Sequence, residues 1–114
     1  MIKKEKIIFI CTGNACRSQI AEGLMRHLAS DRFKAYSAGS HPTKIHPSAI
    51  TVMKEIGIDI SSHTSDPISL FINKSIDIVV TVCDNANKAC PVFAGRVERI
   101  HWSVKDPFKN WDST

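Results

Sequence analysis

The feature that most constrains the fold is a pair of short apolar runs, each followed at once by a cysteine. Residues 7–10 (IIFI) precede Cys11, and residues 76–82 (IDIVVTV) precede Cys83. Runs of this kind are typical of strands that are buried on both faces, as in parallel sheets. Because such sheets bind ligands beyond the carboxyl ends of their strands, we expect both cysteines on one rim of the sheet.

Segments with helical spacing of apolar residues alternate with predicted strands. The spacing predicts helices over residues 20–28 and 46–57, and further strands over residues 33–38 and 97–102. Alternating strands and helices are typical of parallel sheets. The sequence therefore predicts a doubly wound α/β fold, with a four-stranded parallel sheet and helices on both faces, in a single domain that spans residues 1–114.

Charge and hydropathy narrow the class of partner. The net charge is +4, but the 15 Lys and Arg residues are scattered among 11 acidic residues, which favours a small anion and predicts no nucleic-acid partner. No run approaches the ~20 apolar residues of a membrane span, and the amino-terminal segment has no small-residue cleavage site. We therefore expect a cytoplasmic protein without a membrane partner, in which the four cysteines are reactive or metal-binding thiols.

The segment CTGNACRS, which begins at Cys11, has the chemistry of an anion-binding loop. A loop between a strand and a helix directs backbone N–H groups and the positive end of the helix dipole at an oxyanion. Arg17 offers a planar fork to two oxygens, and the same positive field stabilises Cys11 as a thiolate nucleophile. Gly13 permits an unusual backbone angle or a close approach, Asn14 can hydrogen-bond across the loop, and Ser18 can donate to the sulfur. The predicted oxyanion-binding residues are Thr12, Gly13, Asn14, Ala15, Cys16, Arg17 and Ser18.

With CTGNACRS, SAGSHP, HTSD and a late Asp-Pro pair, the whole chain resembles the low-molecular-weight protein tyrosine phosphatase superfamily. Within it, the segment TVCDNANKACP is similar to the redox segment of thioredoxin-coupled arsenate reductases. That resemblance implies that Cys11 attacks arsenate while Asp106 protonates the departing oxygen. Cys83 then attacks the Cys11 sulfur and releases arsenite, and Cys90 attacks Cys83. Thioredoxin reduces the resulting Cys83–Cys90 disulfide, and phosphate and sulfate are expected to bind as substrate analogues.

Reduction requires a second thiol for a chemical reason. Water that resolves a thiolate adduct of As(V) returns arsenate, whereas a second thiol leaves As(III) and a disulfide. The alternative for Cys83 and Cys90 is a structural role, either as core residues or as zinc ligands together with His101, although a six-residue gap between the cysteines suits zinc poorly. Two other functions remain open. One is a phosphatase of phosphomonoesters, although Phe108 replaces the aromatic hydroxyl that commonly follows Asp-Pro there, and the other is a non-catalytic sensor that binds oxyanions or arsenite.

The same resemblance implies a cation site behind the anion loop. Asn14, Glu22, Ser37 and Asp66 resemble positions that hold a monovalent cation such as K⁺ in some of these reductases. Glu22 has the alternative of a solvated helix residue. We expect no other tightly bound cofactor.

Further expectations concern Cys16, the histidines, the electron donor and the end of the chain. Cys16 is either a filler of the loop or a disulfide partner for Cys11, and His41, His46 and His63 are expected as loop or capping residues. Glutaredoxin is a second candidate donor, since it also reduces exposed disulfides. The chain ends in NWDST where relatives begin a last helix, so we expect the final helix to be missing or truncated.

Overall fold

The structure is a computed structural model that describes residues 4–83, 90, 93 and 95–102. Parallel strands alternate with helices along these residues, as the sequence predicts. The elements in chain order are β1 (Glu5–Cys11), α1 (Arg17–Ala29), β2 (Phe33–Gly39), α2 (Pro47–Glu55), a 3₁₀ turn (Ile68–Leu70), β3 (Ile78–Thr81) and β4 (Glu98–His101).

The four strands form one sheet in the order β2-β1-β3-β4, and every neighbouring pair is parallel. This confirms the predicted doubly wound, four-stranded sheet. The chain leaves β1 toward β2 on one side and leaves β3 toward β4 on the other. The point where strand order reverses therefore lies between β1 and β3, where such folds bind their ligands. Cys11 ends β1, and Cys83 follows β3 by two residues.

Helix α1 packs against both the sheet and α2. Ala21 and Met25 lie against the main core cluster that the strands form, whereas Ile20 and Leu24 pack against a second cluster around α2. These are the residues whose spacing predicts the helix. Leu28 shares that spacing but is 74% exposed, whereas Ala29 beside it is buried.

Strand β3 is shorter than the predicted 76–82 because a turn precedes it. Ser75 has a positive φ of 58°, and the Asp77 carboxylate accepts the Lys6 backbone N–H at 2.8 Å. The expectation that the final helix is missing or truncated concerns the end of the chain, which lies outside the described residues. Among the helices that the structure describes, none is long and apolar enough to cross a membrane.

Candidate active site

Cys11 lies at the carboxyl end of β1 with 2% of its surface exposed. Its Sγ accepts the backbone N–H of Asn14 at 3.1 Å and lies 2.9 Å from Ser18 Oγ. Asn14 Nδ2 donates to the same Ser18 oxygen at 2.8 Å, so the hydroxyl proton of Ser18 is left for the sulfur. Both predicted contacts of Asn14 and Ser18 are therefore present, and two donors converge on Cys11 in a way that favours the charged sulfur.

The loop that follows Cys11 directs its carbonyl oxygens away from its interior. In a planar trans peptide, C=O and N–H point in opposite directions, so carbonyls held from outside leave the N–H groups facing inward. The inward N–H of Asn14 on Cys11 Sγ fits this arrangement. The result is a concave row of donors suited to an anion. The carbonyls of Cys11, Thr12, Gly13 and Ala15 accept the N–H groups of Ser40, His41, Thr43 and His46 at 3.3, 2.8, 3.0 and 2.9 Å, respectively.

Asn14, rather than Gly13, adopts the unusual backbone angle. Its φ is 49°, a left-handed conformation that asparagine tolerates better than most residues. Its carbonyl accepts Gln19 Nε2 at 3.0 Å and Ser65 Oγ at 2.8 Å, and its Oδ1 accepts the Asp66 N–H at 2.9 Å. Gly13 instead serves a close approach, because a Cβ there would lie 3.2 Å from a threonine hydroxyl. Of the two alternatives that the sequence left open at Gly13, the structure shows the close approach, and the unusual backbone angle falls at Asn14.

Gln19 is a site residue that sequence reasoning missed. It is fully buried, and its Nε2 donates to the carbonyls of Asn14 and Thr64 at 3.0 and 2.9 Å. Its Oε1 lies 3.0 Å from His63 Nδ1, and because Nε2 is the donor side of the amide, His63 donates here. Gln19 thus links the nucleophile loop to the segment HTSD. No signal in the sequence of that segment predicts that Gln19 is its partner.

Gly39 is the second residue that the sequence-based site lacked. At the end of β2, a Cβ would lie 2.7 Å from the Thr12 carbonyl oxygen and 2.9 Å from the Asn14 nitrogen. Both are backbone atoms of the loop and cannot rotate away. Glycine is therefore required here because the strand passes directly behind the loop.

Arg17 is the first residue of α1 and is half-buried. The first turn of α1 contains no acidic residue, so the positive end of the helix dipole acts on the loop without a compensating carboxylate. Cys16, just before it, packs against the cluster around α2, whereas Cys11 belongs to the main core. This supports the filler interpretation of Cys16.

Cys83 contacts the nucleophile loop. It is buried, and its Sγ lies 3.3 Å from the hydroxyl of Thr12. Cys90 is half-buried against the main core, and this burial raises the pKa of its thiol while the charge of Arg99 lowers it. All four cysteines are free thiols.

The zinc alternative is not supported by the structure. His101 Nδ1 lies 2.8 Å from Thr81 Oγ1, and within the described part of the chain no three His, Cys, Asp or Glu residues cluster as metal ligands. Asp106, the predicted proton donor, lies outside the described residues.

Three of the four predicted cation ligands line one cavity of about 260 Å³, namely Glu22, Ser37 and Asp66. Ser37 donates to the buried carboxylate of Glu22 at 2.5 Å, and Arg26 pairs with its other oxygen at 2.8 Å. Glu22 is therefore not a solvated helix residue. Asn14 joins this group through its hydrogen bond with the Asp66 N–H.

The three histidines act as the sequence predicts. His46 caps α2 by accepting the Ser48 N–H at 3.1 Å, and His41 Nδ1 lies 3.2 Å from Ser40 Oγ in the loop behind the nucleophile. His63 supports Gln19. None of these contacts involves Cys11.

Comparisons with known proteins agree with this geometry. A family profile described as low molecular weight phosphotyrosine protein phosphatase matches residues 6–113. Arsenate reductase 1 of Staphylococcus epidermidis is 49% identical over 111 residues, which is 96% of this chain and 84% of that protein.

Two solved structures share the fold at lower sequence identity. An arsenate reductase in the phosphate-binding state superimposes with a TM-score of 0.82 at 36% identity, covering 92% of this chain and 80% of that chain. The thioredoxin-dependent arsenate reductase of Corynebacterium glutamicum gives a TM-score of 0.76 at 32% identity, covering 94% of this chain and 54% of that one. The similarity therefore extends over nearly all of this chain.

Proposed function

The chain belongs to the low molecular weight phosphotyrosine protein phosphatase family, and from this premise we propose that it reduces arsenate to arsenite with thioredoxin as electron donor. The observation that carries the proposal is the contact between Thr12 of the nucleophile loop and the Cys83 sulfur. A phosphatase needs no second thiol, whereas a reductase needs one within reach of the first. Relatives that are about half identical are arsenate reductases.

In the first step, arsenate occupies the loop between its inward N–H groups and the Arg17 guanidinium. The Cys11 thiolate attacks arsenic and an oxygen leaves as water, for which Asp106 supplies the proton by family resemblance. Ser18 and the Asn14 N–H hold the sulfur as a thiolate before the attack. Phosphate and sulfate bind the same cradle because they are also tetrahedral oxyanions.

In the second step, the Cys83 thiolate attacks Sγ of Cys11. The Cys11–Cys83 bond forms, the sulfur–arsenic bond breaks, and its electron pair stays on arsenic, which leaves as arsenite. The Thr12 hydroxyl lies where it can donate to the Cys83 sulfur and orient it toward the loop.

In the third step, the Cys90 thiolate attacks Cys83 and releases Cys11 as a thiolate. Thioredoxin then reduces the Cys83–Cys90 disulfide by the same kind of exchange. We also propose that the protein works in the cytoplasm, because this relay requires a compartment that keeps thiols reduced.

The test is a coupled assay with arsenate, thioredoxin, thioredoxin reductase and NADPH. We expect one NADPH oxidised for each arsenite released, and a parallel arm with glutaredoxin and glutathione identifies the preferred donor. Steady hydrolysis of p-nitrophenyl phosphate without arsenate-dependent NADPH use would instead make the protein a phosphatase. Absence of both activities together with tight arsenite binding would make it a sensor.

We further propose that the cavity beside Glu22 holds a monovalent cation such as K⁺. Asn14, Glu22, Ser37 and Asp66 offer oxygen atoms, which hard cations prefer, and the ion would add positive charge behind the nucleophile loop. Thermal unfolding in potassium and in choline chloride at equal ionic strength tests this. Potassium should raise the Tm of the wild type but not of Glu22→Gln, and equal Tm values for the wild type in both salts would contradict the site.

A further inference from the structure

Gln19 holds a part of the nucleophile loop that accepts hydrogen bonds from side chains. Four carbonyls between residues 11 and 15 accept backbone N–H groups of the segment 40–46. The carbonyl of Asn14 accepts side chains instead, from Gln19 Nε2 at 3.0 Å and from Ser65 Oγ at 2.8 Å. A substitution can remove a side-chain donor, whereas it leaves a backbone donor in place. The orientation of this peptide therefore depends on which residues stand at positions 19 and 65.

The Gln19 amide is itself fixed at both ends. Its Nε2 donates to the carbonyls of Asn14 and Thr64 at 3.0 and 2.9 Å, and its Oε1 accepts from His63 Nδ1 at 3.0 Å. The side chain is fully buried, and rotating the amide by half a turn would set its oxygen against two carbonyl oxygens. Because Gln19 lies in the first turn of α1, its donor reaches the loop from a rigid element.

The peptide that this donor holds is the one between Asn14 and Ala15. In a planar trans peptide the N–H points away from the carbonyl, so an Asn14 carbonyl held outward directs the Ala15 N–H into the loop. Asn14 has a φ of 49°, a conformation that costs free energy for a residue with a side chain. Contacts from outside the loop must therefore hold this peptide in place.

A different peptide serves the nucleophile. The N–H of Asn14, which lies 3.1 Å from Cys11 Sγ, belongs to the peptide that begins at Gly13. The carbonyl of that peptide accepts the Thr43 N–H at 3.0 Å. Loss of the Gln19 side chain removes neither contact. The position of the oxyanion donor and the stabilisation of the thiolate are therefore separable.

We propose that Gln19 is a positioning residue for the oxyanion, because through the Asn14 carbonyl it holds the Ala15 N–H in the orientation that donates to arsenate or phosphate. A donor that is fixed in advance needs no reorganisation when the anion arrives. A carbonyl turned into the loop would instead repel the anion. This inference rests on the proposed function in one respect, that the loop is the site where the oxyanion binds.

The test compares phosphate affinity, measured by calorimetry, with the pH at which alkylation of Cys11 is half-maximal in phosphate-free buffer. Both use the reduced full-length protein, and the reagent is iodoacetamide, which is neutral and does not bind as an anion. Gln19→Met keeps a side chain of similar length but removes both N–H donors. Phosphate affinity should fall about ten- to hundredfold, the usual contribution of one hydrogen bond to a charged group, whereas the alkylation midpoint should stay close to that of the wild type.

Ser18→Ala should show the opposite pattern. Ser18 Oγ lies 2.9 Å from Cys11 Sγ, so its loss should raise the alkylation midpoint while phosphate affinity stays near that of the wild type. His27→Met makes a polar-to-apolar replacement at an exposed residue of α1 and should change neither quantity. A residue that merely stabilised the fold would not produce two opposite patterns in neighbouring positions.

Ser65→Ala tests the same carbonyl from a less buried residue, so the proposal stays testable if Gln19→Met does not fold. Ser65 is half-buried, and its Oγ is the second donor to Asn14. Its loss should weaken phosphate binding without moving the alkylation midpoint, and by less than Gln19→Met because the Gln19 donor remains.

The outcomes distinguish this inference from the function on which it rests. If the wild type binds no phosphate, the loop is not an oxyanion site, and the proposed function fails together with the role of Gln19. If the wild type binds phosphate and Gln19→Met binds it equally well, only the role of Gln19 is overturned. The same holds if Gln19→Met raises the alkylation midpoint as much as Ser18→Ala does, since Gln19 would then support the whole loop.

Discussion

The nucleophile loop, residues 11–18, and the relay edge, formed by Cys83, Cys90 and β4, are held very differently. In the loop, each carbonyl from residue 11 to residue 15 accepts a hydrogen bond from outside the loop. At the relay edge, all four residues of β4 are exposed. Among the described residues, the Thr12 hydroxyl joins the two regions through its contact with the Cys83 sulfur at 3.3 Å.

This difference follows from the chemistry of each region. Donors that stabilise a thiolate and an oxyanion act best when they are fixed before the reaction. Thiols that pass a disulfide along must change partners and must present it to a second protein. Hydrolysis therefore needs no residue of the relay edge, and the relay edge adds reduction.

The largest expected effect comes from removing the nucleophile from the loop. Cys11→Ser should abolish both arsenate reduction and hydrolysis of p-nitrophenyl phosphate, because a serine hydroxyl does not ionise at neutral pH. Phosphate binding, measured by calorimetry, should persist and shows that the loop is intact. Either activity surviving in a folded variant would mean that the nucleophile is another residue.

Arg17→Lys should lower both activities by well over tenfold. An ammonium group cannot reproduce the two-pronged contact of a guanidinium with an oxyanion. Arg32→Lys is the matched control, since Arg32 is exposed in the turn before β2 and should tolerate the change. A loss below about tenfold, roughly 1.4 kcal/mol, would show that Arg17 does not clamp the anion.

Ser18→Ala should lower both activities about tenfold, which is a smaller loss because the Asn14 N–H still contacts the sulfur. Hydrogen bonds to charged groups contribute about 1.5–3 kcal/mol, and one of two donors remains. Alkylation of the Cys11 peptide at neutral pH should slow in the same variant. Ser48→Ala, at an exposed serine of α2, is the control. Equal alkylation rates in the two variants would show that the Ser18 hydroxyl does not activate the Cys11 sulfur.

The smallest expected effects are on stability, and they contrast a glycine that lies against the nucleophile loop with one that precedes β4. Gly39→Ala should cost about 1–3 kcal/mol of unfolding free energy, because its Cβ meets loop backbone. Gly95→Ala should cost about 1–2 kcal/mol, because its φ of 91° is unfavourable for alanine. The added Cβ itself would meet nothing within 4 Å. Urea unfolding measures both, and only Gly39→Ala should also slow phosphate ester hydrolysis; equal hydrolysis by the two variants would contradict the difference between the regions.

The sequence predicted those parts of the site that depend on local order. A strand, a loop and a helix in succession place Cys11, Asn14 and Ser18 together, and parallel strands bring Cys83 to the same rim. Gln19, Ser65 and Gly39 were missed because their partners come from segments that meet only when the chain folds. At Gly13 the sequence left open an unusual backbone angle or a close approach, and only the folded structure shows that the close approach applies and that Asn14 takes the left-handed angle.

The most direct test of the central claim, that the loop hydrolyses and the relay edge reduces, is Cys83→Ser assayed for both activities in the same preparation. We predict that hydrolysis of p-nitrophenyl phosphate stays within about threefold of wild type, a change of less than 1 kcal/mol, while arsenite formation falls to background. Continued arsenite formation, or loss of both activities in a variant that unfolds like the wild type, would contradict the account.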